Sequence, residues 1–90
     1  MELPFTQDNH DGYLIRTFSK DVETAELKWH FDLENRKITI LEGEDWEFQM
    51  DNGLPKKLSV GDTHLIPKGI YHRIKRGTTD LKVKIEFYEQ

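Results

Sequence analysis

Residues 61–76 read GDTHLIPKGIYHRIKR. Gly61 is followed at six residues by Pro67, at eight by Gly69 and at eleven by His72. The first glycine permits a turn into a strand, and Pro67 with Gly69 folds the chain through a tight corner. His72 beyond them is then aimed back into whatever the strands enclose. Within the short HLIP strand, His64 is one residue out of phase with Thr63 and Leu65, which predicts that it faces outward.

Working outward, the pattern stays β. Strands are expected over residues 12–20, 25–33, 36–43, 46–50, 56–60, 64–67, 71–76 and 81–89, separated by turn signals of which Asp51-Asn52-Gly53 is the clearest. Trp46 and Phe48 read as core. No segment holds a helical period of useful length. Short strands with turns at this spacing predict a closed sandwich or barrel, since a small chain with two long exposed edges would pair with its neighbours.

The stretch ELKWHFDLENR, residues 26–36, alternates as a strand would. Leu27, Trp29, Phe31 and Leu33 point one way, while His30 and Asp32 share the other face with Glu26, Lys28 and Glu34. His30-x-Asp32 on one strand and His72 far downstream supply two imidazoles and one carboxylate. That is the facial-triad composition of mononuclear non-haem iron sites, which leaves coordination positions open for substrate, oxygen or water. A metal-free alternative stands beside it: Arg36 pairing with Asp32 would also neutralise a carboxylate whose burial alone costs several kcal/mol.

The spacing of Gly61, Pro67, Gly69 and His72 resembles the second signature motif of the cupin superfamily, G-x5-P-x-G-x2-H, at each of its positions. A degraded first motif is similar over residues 24–43, with Thr24 at the initial glycine, His30 and Asp32 at the two histidines, Arg36 at the glutamate and Gly43 at the closing glycine. The asparagine that trails motif two is replaced by Arg76. The resemblance implies an all-β fold: a single-domain cupin over residues 1–90, a double-stranded β-helix in jelly-roll topology. It implies one divalent metal on His30, Asp32 and His72, iron first, with manganese, zinc or nickel also suited, or none if Arg36 has displaced the ion. Arg36 and Arg76 would hold a small anionic substrate, with Tyr71 at the pocket mouth, and the chemistry would be of dioxygenase or isomerase type. Leu27, Trp29 and Phe31, turned outward, would be covered by a second copy in a homodimer.

Composition sets the outer limits. Ninety residues make room for one core, burying roughly 60–65% of the unfolded chain's surface. There are no cysteines, so neither disulfides nor zinc thiolates can brace it, and a reducing cytoplasm is the expected setting. No apolar run is long enough for a bilayer span, and the N-terminus lacks a signal-peptide pattern. Residues 56–84 carry eight basic residues against Asp62 and Asp80 within a net charge of −4. The basic half suits a small anion, but without interleaved aromatics on an acidic chain it argues against nucleic acid. Gly-rich phosphate loops and nucleophile-elbow serines are absent.

Overall fold

The computed structural model describes residues 5–21 and 27–88. Thr24 and the start of the expected strand at 25–33 therefore lie outside the described residues. Within them every element is a strand: β1 (Phe5–His10), β2 (Tyr13–Phe18), β3 (Asn35–Glu42), β4 (Glu47–Met50), β5 (Lys56–Lys57), β6 (Thr63–Ile66), β7 (His72–Lys75) and β8 (Leu81–Tyr88). No helix among them is long and apolar enough to cross a membrane. All pairings are antiparallel, in a five-stranded sheet of order β1-β2-β8-β3-β6 and a three-stranded sheet of order β5-β4-β7. The expected two-sheet, all-β barrel is what forms.

Alternation decides what fills it. Phe18, Ile40, Leu81, Val83 and Ile85 are buried on the inner face of the larger sheet, with Trp46, Phe48 and Leu58 facing them. Each such side chain contributes about 1.5–3 kcal/mol through burial. Trp46 closes one end of the barrel, 1% exposed, and its indole N–H donates to the Thr79 carbonyl at 2.6 Å. β1 is not legible in the sequence: its residues after Phe5 are polar and exposed, and among the described strands it is an edge held by β2 alone.

Two sequence expectations change. Residues 27–34 form no strand; among the described residues their sole ladder contact is a bridge between His30 and His72, with N–H···O distances of 3.0 and 2.8 Å. Leu27 packs against the core rather than facing out, while Trp29 and Phe31 are exposed. The segment instead clamps the corner of the 61–76 stretch. Gly69 N–H donates to the Asp32 carbonyl at 2.9 Å, and Lys68 N–H to Asn35 Oδ1 at 3.0 Å. A chain committed to fastening a loop cannot also run in register along a strand. Gly61 and Gly69 have φ of +93° and +77°, the left-handed values the corner was expected to need.

Asn35 is 8% exposed, so its side chain is the buried pin of this clamp. Asn35→Ala is expected to cost about 1–3 kcal/mol by leaving the Lys68 amide without its acceptor. For a domain of this size the melting temperature falls roughly 4–8 °C per kcal/mol, which a thermal melt will resolve.

Candidate metal centre

Between the sheets lies a cavity of about 60 Å³, roughly the space of a few waters or a short organic ligand. Its walls are mainly apolar. His30, Asp32, Arg36 and His72 meet in its lining, joined by Arg16 and His64.

The bridge between residues 30 and 72 sets the two histidine backbones side by side, and their rings meet edge to face with centroids 4.4 Å apart. His30 Nδ1 lies 2.8 Å from the Lys28 carbonyl and His72 Nδ1 2.9 Å from the Ile70 carbonyl. A carbonyl only accepts, so each Nδ1 carries the hydrogen and donates it. This backbone contact is the kind that fixes a metal-binding histidine with its Nε2 lone pair free. One ligand atom from each of His30, Asp32 and His72 lies within 4.8 Å of the others.

His72 Nε2 is 3.3 Å from Asp32 Oδ2. A neutral imidazole that has spent its one hydrogen on a carbonyl presents a lone pair there, against an oxygen that is also an acceptor. A cation between them, a proton or a metal ion, resolves the contact. The donor set therefore fits a divalent ion of borderline softness, two imidazoles and a carboxylate.

Arg36 makes its main contact elsewhere. Its Nη2 and Nε donate to a single oxygen of Glu34 at 2.6 and 3.0 Å, while Asp32 Oδ2 is 3.6 Å from Nε. The expected Arg36–Asp32 pairing is thus present but secondary. Burial alone would raise the Asp32 pKa, but the contact with His72 and the positive charge of Arg36 outweigh it and hold the carboxyl below its ordinary 3.8. Because the folded state gives up this proton more readily than the unfolded chain, ionised Asp32 stabilises the fold above pH 3.8. That contribution is lost as pH falls through the lowered folded value. Urea midpoints of metal-free protein should therefore drop more steeply below pH 3.8 in the wild type than in Asp32→Asn.

Tyr71 and Arg76 are not brought to this cavity. Both are exposed; Tyr71 packs edge-on against Phe31 at 5.1 Å. Two lining residues escaped the sequence reading. Arg16 alternates inward with Phe18, its guanidinium held by Gln7 at 2.7 and 2.9 Å and seated 4.0 Å over Phe5. His64, expected outside, is inside. Its β6 pairs with β3 so that Ile66 and His64 stand beside Arg36 and Ile38, and Leu65 is the exposed one. The burial of Ile66 just before Pro67 sets the phase of the strand, against the pull of Leu65. Among the described residues His64 Nε2 is buried with no hydrogen-bond partner, a condition that costs about 1–3 kcal/mol unless something fills it. His64 and Phe48 also border a second cavity of about 340 Å³, against Leu54 and Leu65.

No protein-family model and no curated protein matches the chain. Solved structures do. A cupin domain from Bordetella pertussis Tohama I superposes with a TM-score of 0.64 at 18% identity, covering 99% of both chains. The chain has the cupin fold. Other likenesses are to larger proteins: DMSP lyase DddQ from Ruegeria pomeroyi DSS-3 matches with a TM-score of 0.70 at 18% identity over 97% of this chain and 48% of its own. A chain from the crystal structures of the DMSP lyases RdDddP and RnDddQII matches at 0.73 and 16% identity, over 86% of this chain and 37% of that one. The chain thus spans less than half the length of either lyase chain.

Proposed function

We propose that this cupin binds one divalent metal ion on His30, Asp32 and His72 and receives a small anionic ligand beside it, iron being the first candidate and manganese, zinc or nickel the others. The observation that supports this most is the commitment of both Nδ1 atoms to backbone carbonyls, which turns two Nε2 lone pairs and an ionised carboxylate toward one point. A metal held there would supply a Lewis acid and, if it is iron, a redox centre suited to oxidoreductase chemistry. The chain's own residues do the rest. The apolar wall excludes water, and Arg36, anchored by Glu34, presents a fixed positive charge to an arriving carboxylate or phosphate. The exposed Trp29 and Phe31 support a homodimer through that face, in a cytoplasmic protein.

The 3.6 Å Arg36–Asp32 contact favours a second reading, a metal-free barrel that binds the anion alone. Thermal melts separate the two. Metal at about a hundredfold its dissociation constant should add about 2.7 kcal/mol, a rise of roughly 10–20 °C that chelator reverses. A melting temperature indifferent to every divalent metal but raised by small carboxylates would establish the second reading instead.

A further inference from the structure

Inward-facing residues descend the barrel in rungs two residues apart. The upper rung carries Arg36 and Ile66 from one sheet and Met50 with His72 from the other. One rung deeper stand Ile38, Ile85, Phe48, Ile74 and His64. His64 is the polar exception in that group, and its Nε2 is buried with no hydrogen-bond partner among the described residues. The Phe48 ring lies between the levels, its centroid 5.7 Å from His72 and 5.9 Å from His64. Successive inward rungs are about 6.6–6.8 Å apart along a strand, so the His30–Asp32–His72 cluster and His64 Nε2 stand at two levels of one cavity, with the Phe48 ring against both His72 and His64.

We propose that His64 determines ligand specificity: its Nε2 takes the far polar group of a ligand whose near oxygen group sits at His30, Asp32 and His72. The class that fits is a short-chain compound with an oxygen group at each end, a dicarboxylate of about four carbons, whose methylenes lie against Phe48. The charges lining the cavity agree, Arg16 and Arg36 against the carboxylate of Asp32. A second anionic group meets positive charge rather than repulsion. This inference rests on the reading that the cluster end receives an anion, but not on the identity of the metal.

The test uses full-length protein with ¹⁵N-labelled histidines, titrated with Zn²⁺ alone, then with succinate or with butyrate, which has the same length but one carboxylate. Zinc should shift the His30 and His72 ring nitrogens and leave His64 in place. Succinate should then move His64 Nε2 and bind at least about tenfold tighter than butyrate, as expected where a buried polar group loses its partner with the wrong ligand. In His64→Leu that preference should fall below about twofold, and His64→Gln, which keeps a hydrogen-bonding end, should recover part of it. Equal binding of the two acids, binding of neither, or a preference that survives in His64→Leu overturns the proposal and leaves Nε2 to an ordered water. A failure of the metal reading looks different: zinc leaves His30 and His72 unmoved, while succinate still moves His64 and is still preferred.

Discussion

Asp32→Ala is expected to lower the affinity for a divalent metal by more than about 100-fold. Loss of a residue that merely orients a ligand costs about 10–100-fold, and Asp32 is proposed as a ligand itself. Its removal leaves two neutral imidazoles, and it strips Arg36 of a countercharge 3.6 Å away. The guanidinium, still fixed by Glu34, then opposes an incoming cation. Isothermal titration with Zn²⁺, wild type against variant, reads the change, and the thermal shift on adding metal should vanish with it. A variant that keeps wild-type affinity would remove Asp32 from the site. Because the residue's carbonyl, not its carboxylate, holds the Gly69 corner, the fold should survive the substitution, with an unchanged far-ultraviolet circular dichroism spectrum.

Gly77→Ala is expected to be the most damaging small change in the barrel. A methyl group at residue 77 would collide with the Glu44 carbonyl oxygen, the Trp46 ring and the Trp46 backbone nitrogen. Two of those atoms are backbone and cannot swing away. The contact closes the barrel end opposite the candidate site, where Thr78 N–H donates to the Glu44 carbonyl at 3.0 Å, Glu44 N–H to Thr79 Oγ1 at 2.9 Å and the Trp46 indole to the Thr79 carbonyl. Overpacking of a tight site costs about 1–3 kcal/mol, and a clash with backbone belongs at the upper end or beyond. Chemical denaturation should show a loss of about 3 kcal/mol or more. A loss below about 1 kcal/mol would mean that the 43–46 and 77–80 turns move apart freely.

The sequence disclosed the parts that depend on spacing. Gly61, Pro67, Gly69 and His72 form the corner they were read to form, because a left-handed glycine and a fixed proline leave the chain few alternatives. His30, Asp32 and His72 converge as their types and separation suggested. The parts that failed depend on phase and on partners far along the chain. Alternation over residues 27–33 looks the same whether the segment runs in a sheet or crosses a loop, and only its bonds to Gly69 and His72 reveal the second case. His64 reads as outward in the sequence because Leu65 is the more apolar neighbour, while the register with β3 places Ile66 inside and turns Leu65 out. Arg16 could not be picked from a strand of mixed residues until Phe18 fixed which face was inside. The hold of Glu34 on Arg36, two residues away, was present in the sequence but competed with the more familiar pairing to Asp32.

The most direct test of the metal-binding account is the metal content of full-length protein carrying no histidine tag, purified anaerobically and measured by inductively coupled plasma mass spectrometry. The account predicts close to one iron, manganese, zinc or nickel ion per chain, removed by chelator and restored on reconstitution. Protein that stays essentially metal-free after incubation with each of these ions would contradict it, and would leave Arg36 as the cation that Asp32 keeps.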